Sequence, residues 1–161
     1  MSHQDTFDAL RSTRLAGELD DAQCRTLAGA VALRALKNGE MLAKEGTVDN
    51  HLYVILDGTL AIVKNAGTSE AVTINTMGKG EMVGELGFMD GLELYASKVA
   101  LGEMRVLGLE REKLEAMLDA HPQIVYRVMR AIIRDVHQIQ RRLSMQQAEL
   151  SNYIYKQHGR Y

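Results

Sequence analysis

Cysteine, proline and excess charge are scarce in this sequence, and the shortages exclude several classes of protein. Cys24 is the only cysteine among 161 residues, so the chain can form neither an intramolecular disulfide nor a zinc site built from cysteines. The 19 Lys and Arg against 21 Asp and Glu give a formal net charge of −2, which is no basic excess for binding nucleic-acid phosphates. We therefore expect a protein of a reducing, cytoplasmic environment that makes no nucleic-acid contact.

Long hydrophobic runs are missing from the N-terminal region. Charged residues recur from Asp5 to Asp21 and leave no apolar stretch long enough for a signal sequence or a membrane span. Hydrophobic residues nevertheless make up 46% of the chain, which suffices for one sizeable core at this length. We expect one soluble domain with a helical extension and no membrane contact.

Two short helices are predicted before a long glycine-rich region. Asp20 or Asp21 is placed to cap the second helix. Between Val31 and Leu109, glycines separate short β-favouring segments, roughly seven or eight strands in all. We therefore predict a mainly β fold with flanking helices, built as a double-stranded β-helix jelly roll and not as βαβ units.

Two hairpins are predicted within this β region. The first joins the runs 52–56 and 59–63 across Asp57-Gly58, because glycine accepts the positive φ that a tight two-residue turn needs. The second joins the runs 94–100 and 104–109 through a turn near Gly102.

A long helix is predicted after Pro122, the only proline, which suits the first turn of a helix. Its apolar residues recur in alternating steps of four and three, broken once by a glutamine. The seam consists of Val125, Met129, Ile132, Val136, Ile139, Leu143, Gln146, Leu150 and Tyr153. This regularity favours a parallel two-stranded coiled coil, and hence a homodimer, over packing on the chain's own core. We divide the chain into a domain of residues 1–120 and a C-terminal dimerisation helix with hinge, residues 121–161.

This order of elements resembles the cyclic nucleotide-binding domain family. The segments LKNGEMLAKEGTVDNHLYVILDGTLAIV and MGKGEMVGELGFMDG are similar to the opening strands and the phosphate-binding cassette of that family. RRLSMQQAELSNYIYKQHGR resembles the dimer helix and hinge of its catabolite activator protein-like members, in which a DNA-reading domain follows. The resemblance implies a cyclic nucleotide-binding β roll, a regulatory signal-transduction role and a cyclic nucleotide or related small ligand. The chain ends where the DNA-reading domain would begin, so we expect an effector domain lacking it.

The cassette, defined here as residues 84–100, has the sequence GELGFMDGLELYASKVA. Gly84 and Gly87 permit close approach of the backbone to a ligand, and a helical turn near Leu86 would direct N–H groups at an anion. The resemblance implies that Glu85 accepts hydrogen bonds from ribose hydroxyls. It also implies an arginine that pairs with the cyclic phosphate.

Neither residue at the arginine position can neutralise a phosphate, because that position falls on Leu94 or Tyr95. The nearest basic residues in sequence include Lys98, which four strand residues place roughly 13 Å from Leu94. We therefore expect binding of ordinary cAMP or cGMP to be weak or absent.

Two interpretations of the cassette remain open. In one, the glycines and Glu85 serve the turn of the β roll, while Leu94 and Tyr95 fill a vacant pocket. In the other, a different, less charged ligand is recognised, with an expected set of contact residues. This set comprises Gly84, Glu85, Leu86, Gly87, Leu94, Tyr95, Ser97, Gln146 and Gln147.

Three functions follow from these interpretations. The first is a dimeric regulatory domain, and the second is a ligand-free structural or protein-interaction module. The third is the effector domain of a transcription regulator truncated before its DNA-binding part. The five histidines are scattered, and no nucleophile motif or Walker loop is present. We therefore predict no metal site, no catalytic residues and no enzymatic activity.

Overall fold

Five α-helices surround a single antiparallel sheet in the computed structural model, which describes residues 2–158. The helices are α1 (His3–Arg11), α2 (Asp21–Ala28), α3 (Glu85–Asp90), α4 (Arg111–Glu115) and α5 (Pro122–His158). A 3₁₀ turn, Arg14–Ala16, lies between α1 and α2. The side chain of Asp20 accepts a hydrogen bond from the backbone N–H of Gln23, so the predicted cap of the second helix is confirmed.

The sheet contains six strands and has the order β1-β6-β3-β4, with β2 paired to β6 and β5 paired to β3. The strands are β1 (Val31–Leu36), β2 (Met41–Ala43), β3 (His51–Lys64), β4 (Val72–Met77), β5 (Met82–Val83) and β6 (Ser97–Glu110). All of the pairings are antiparallel. The predicted jelly-roll class is confirmed.

Both predicted hairpins are wrong, because β3 and β6 are each one continuous strand of 14 residues. The two strands pair with each other along their whole length, and the register shifts on both sides of Asp57. Gly58 has the predicted positive φ, 86°. It lies opposite residues 102–104 of β6, at a bulge where the ribbon bends. A positive φ serves a bulge as well as a turn, so the Asp-Gly signal could not distinguish them.

The bent ribbon divides the sheet into two halves. The C-terminal half of β6 and the N-terminal half of β3 lie with β1 and β5, and their other halves lie with β2 and β4. Side chains from both halves form an inner core: Leu36, Leu42, Tyr53, Ile55, Leu60, Val83, Ala100, Met104 and Val106. A second, outer core lies between the helices and the alternate face of β3, which presents Leu52 and Val54. Burial on both faces explains the nearly unbroken apolar run 52–56.

The long helix α5 has two different environments. Ile124, Val125, Val128 and Ile132 are buried in the outer core. Three positions of the predicted seam, Val125, Met129 and Ile132, are therefore occupied by packing within the chain. Apolar residues of the later part, from position 133 onward, are exposed. The last three residues of the predicted hinge lie outside the described residues. No helix of residues 2–158 is both long and apolar enough to cross a membrane.

Replacement of Gly58 tests the importance of the bend. A Cβ atom at this position would lie 2.5 Å from the Cβ of Met104 and 2.6 Å from the carbonyl oxygen of Glu103. Gly58→Ala should lower the free energy of unfolding by about 1–3 kcal/mol more than Gly67→Ala. Gly67 is the matched control, because it also has a positive φ, 81°, with nothing within 4 Å of its Cβ position. Urea denaturation measures the free energy of unfolding of both variants. Equal losses of stability in Gly58→Ala and Gly67→Ala would show that the bend tolerates a side chain.

Candidate functional site

The first part of the cassette packs closely against the chain that enters β3. Gly84 has φ 96°, and a Cβ built on it would lie 2.7 Å from the carbonyl oxygen of His51. A Cβ on Gly87 would lie 2.9 Å from the carbonyl oxygen of Asp49. Both glycines were expected to permit close approach of a ligand, and here they permit close approach of the protein's own backbone.

The helix α3 begins next to the expected turn position. Phe88 anchors it, because this side chain is buried in the outer core and its N–H donates to the carbonyl oxygen of Gly84 at 2.9 Å. Leu86, a predicted contact residue, is instead 69% exposed. The exposed face of α3 therefore presents an apolar side chain to solvent.

The arginine position carries no cation of its own. Leu94 is half-buried, and its backbone forms hydrogen bonds with Thr47 and Gly46. Tyr95 is 72% exposed, so the expectation that it fills a vacant pocket is wrong. Its ring lies 4.6 Å from the ammonium nitrogen of Lys64, which also donates to the Tyr95 carbonyl oxygen at 3.0 Å. This contact holds Tyr95 on the surface.

The cation nearest the arginine position, Lys64, is already paired. It comes from β3 and forms a salt bridge with Glu45. The hydrogen bond from Lys64 lowers the pKa of Glu45 from its ordinary value, and the backbone N–H of Asn65 adds to this effect. Ser97, another predicted contact residue, is buried, and its hydroxyl accepts from the Glu45 backbone N–H at 2.9 Å. Lys64 and Ser97 thus both bind Glu45, in the loop between β2 and β3.

Lys98 is the functional candidate that sequence reasoning misjudged. This residue is buried, with only 5% of its surface exposed. The ammonium nitrogen lies 3.0 Å from the position of a Cβ built on Gly84. The expected distance along the strand separates Lys98 from Leu94, but the fold brings it to the other end of the cassette. The clue in the sequence was a lysine within a run of small and apolar residues.

The carboxylates of Asp49 and Glu85 accompany this lysine. Burial lowers the pKa of Lys98, and the charges of Asp49 and Glu85 partly offset that effect. Burial raises the pKa of Glu85, and the nearby carboxylate of Asp135 raises it further. One oxygen each of Asp49 and Glu85, and the Lys98 nitrogen, are buried without a hydrogen-bond partner in the described part of the chain. The start of the cassette therefore holds charges of both signs out of water.

Asp135 connects the cassette to α5. It is 7% exposed and accepts a hydrogen bond at 3.4 Å from Arg14, which lies in the 3₁₀ turn. Burial raises the pKa of Asp135, and Arg14 opposes this effect. A row of four charged residues thus runs from Arg14 through Asp135 and Glu85 to Lys98.

Gln146 and Gln147 are not brought to the cassette within one chain. Both are exposed on α5. At 1.5 Å per residue, Gln146 lies roughly 16 Å further along the helix than Asp135. Of the predicted contact residues, the structure assembles Gly84, Glu85 and Gly87 at the start of the cassette.

Comparison with known proteins agrees with this arrangement of β roll, cassette and long helix. The model of the cyclic nucleotide-binding domain matches residues 33–121, more than half of the chain. The chain belongs to this family. A "CRP-like cAMP-activated global transcriptional regulator" of Mycobacterium tuberculosis is 26% identical over 60% of the chain and 43% of the regulator. An uncharacterised NTE family protein of Mycobacterium bovis is 28% identical over 83% of the chain and 22% of that protein. The domain thus spans less than half the length of either relative.

Solved structures share the fold. A cyclic nucleotide-binding domain from Methylobacillus flagellatus has a TM-score of 0.73 and 23% identity, covering 87% of the domain and 79% of that chain. The N-terminal domain of a Streptomyces coelicolor transcriptional regulator has a TM-score of 0.68 and 26% identity. The match covers 84% of the present chain and 95% of that domain's chain. The regulatory subunit of a cAMP-independent protein kinase A from Trypanosoma brucei has a TM-score of 0.65 and 23% identity. The match covers 88% of the present chain and 51% of that subunit's chain.

The raised pKa of Glu85 predicts a pH-dependent effect of Glu85→Gln. A carboxyl group whose folded-state pKa is raised stabilises the fold fully below its unfolded pKa, about 4.3, and loses this contribution as the pH rises through the higher folded value. The variant, which carries no charge at any pH, should therefore gain stability relative to wild type between about pH 4.5 and pH 7.5.

Urea midpoints at the two pH values measure this difference. Glu93→Gln is the matched control, because Glu93 is an exposed glutamate of the same cassette. A difference between Glu85→Gln and wild type that stays constant with pH would contradict burial of the Glu85 charge.

Proposed function

We propose that this chain is a regulatory signal-transduction domain that does not respond to ordinary cAMP or cGMP. The observation that carries the proposal is the arginine position, where Leu94 is half-buried and Tyr95 points to solvent beside Lys64. The Lys64 ammonium is paired with Glu45 and is not free to neutralise a ligand phosphate.

The energetic consequence of the missing guanidinium is large. Loss of one partner of a buried, hydrogen-bonded charge pair costs about 2–5 kcal/mol. A ligand with micromolar affinity has a binding free energy of only about 8 kcal/mol. The affinity for a cyclic nucleotide should therefore fall to roughly the hundred-micromolar range or beyond, which is weak for a second messenger.

The comparisons support a regulatory role without requiring cAMP. One relative is described as a cAMP-activated regulator, and one structural neighbour as a subunit of a cAMP-independent kinase. The fold thus occurs in regulators of both descriptions. Another relative is an NTE family protein.

The route of signalling in our proposal is the contact between the cassette and α5. Glu85 begins α3, and its pKa is influenced by Asp135 of α5, which in turn binds Arg14. A ligand or partner that moves Glu85 would change a buried electrostatic interaction and so shift the position of α5. A downstream protein would detect that change through the helix.

Isothermal titration tests the ligand part of the proposal. Wild-type protein titrated with cAMP and with cGMP should show no saturable binding below about 100 µM. Binding in the low micromolar range would contradict the proposal. A thermal-shift panel of other cyclic mono- and dinucleotides then separates two functions, because a bound ligand raises the unfolding temperature. A uniformly flat response would favour the ligand-free interaction module, which the close packing at Gly84 and Gly87 also favours.

We also propose that residues 133–158 of α5 pair two copies of the chain. Ile139, Leu143, Leu150 and Tyr153 of the predicted seam are all exposed, and this part of the helix runs for roughly 39 Å. A heptad stripe of this length that is not covered by its own domain is suited to a second copy. The occupied seam positions Val125, Met129 and Ile132 restrict the coiled coil to this later part.

Leu143→Glu tests the pairing. A carboxylate within an apolar seam should weaken dimerisation by at least about tenfold, because a buried charge without a partner is costly. Sedimentation velocity over a concentration series measures the dissociation constant. Ala148→Glu is the matched control, because position 148 lies on the opposite side of the heptad from the seam. A monomeric wild-type protein, or equal effects of the two variants, would overturn this proposal.

A further inference from the structure

Lys98 lies inside the β roll. It belongs to β6, where its neighbours across the sheet are Ile62 and Ala43. Side chains two residues apart in a strand share one face, and Ala100 is part of the inner core. The Lys98 side chain therefore projects to the interior, which buries all but 5% of it.

The ammonium group of Lys98 is held between the cassette and the start of β3. A Cβ built on Gly84 would lie 3.0 Å from it. The ammonium also lies 5.6 Å from the centre of the Tyr53 ring. The carboxylates of Asp49 and Glu85 favour the charged form of Lys98 and so oppose the effect of burial on its pKa. The ammonium thus occupies the interior side of the first two cassette residues.

This group is an unusual occupant of a protein interior. A buried ammonium without hydrogen-bond acceptors is unfavourable, and its cost is relieved only by nearby opposite charges. Within residues 2–158, no hydrogen-bond acceptor is found for the Lys98 nitrogen, and one oxygen of Glu85 is likewise without a partner. Asp49 and Glu85 offset the cost of burying this charge only in part, and neither forms an ion pair with Lys98 in the described part of the chain.

We propose that Lys98 determines the ligand specificity of this pocket. Its ammonium takes the space beside Gly84 at the start of the cassette, so a cyclic nucleotide cannot occupy that space. The inference rests on the proposed function and deepens it, because the loss of cyclic nucleotide binding then has two separate causes. One is the missing guanidinium at Leu94 and Tyr95, and the other is the lysine within the roll.

The proposal predicts that an arginine alone does not restore the site. Leu94→Arg returns a cation to the cassette but leaves the interior of the roll occupied by Lys98. Leu94→Arg combined with Lys98→Ala adds the same cation, removes the lysine side chain and opens the space beside Gly84. The double variant should bind cAMP at least about tenfold more tightly than Leu94→Arg alone, since one unpaired buried polar group changes affinity by about that factor.

Titration calorimetry with cAMP compares the two variants. Leu94→Arg with Lys37→Ala is the matched control, because Lys37 is exposed in the turn after β1, and it should bind like Leu94→Arg. A double variant that binds no more tightly than Leu94→Arg, including one without detectable binding, overturns the role of Lys98. That outcome leaves the proposed function intact, whereas micromolar binding of cAMP by wild type would overturn the proposed function.

A second measurement uses the wild-type protein and does not depend on the folding of any variant. Brief treatment with an amine-acylating reagent, followed by peptide mass spectrometry, reports which lysines are accessible. Lys98 should remain unmodified while the exposed Lys37 and Lys44 react. Modification of Lys98 at the rate of those two residues would show that its ammonium is not held inside the roll, and would overturn the inference.

Discussion

The antiparallel ribbon formed by β3 and β6 is the constraint on which the rest of the structure depends. Its bend at Gly58 turns the two halves of the sheet toward each other, so that one inner core forms between them. The same ribbon sets the surroundings of the cassette. The start of β3 passes beneath Gly84, and the start of β6 places Lys98 on the interior side. Both neighbours of the cassette therefore come from one pair of strands.

A row of charges leads from the interior of the roll to the exposed Arg14. Lys98 lies within the roll, Glu85 begins the cassette helix, and Asp135 lies on α5, where it binds Arg14. Interactions between charges are stronger in a protein interior than in water. We propose that a change at one end of the row influences the other end. In our proposal the cassette and the long helix are coupled in this way, and no residue of the arginine position takes part.

Local signals in the sequence predicted local features well. Asp20 caps α2 and Pro122 begins α5, as their chemistry indicates. Prediction failed where the same signal serves two geometries, because the positive φ of Gly58 fits a bulge as well as a hairpin turn. It failed again at Tyr95, whose position depends on a lysine 31 residues earlier in the chain. Such long-range partners leave no trace in sequence spacing.

The sequence by itself determined the family pattern, the jelly-roll class and the absence of an arginine at Leu94 and Tyr95, since these depend on residue identity and order. Only the tertiary structure decided what lies beside the cassette. Distance along a strand separated Lys98 from the arginine position, but the register between β3 and β6 brought it to Gly84 and Glu85. A side chain's neighbours depend on strand pairing and on the bend of the sheet, which are properties of the whole chain.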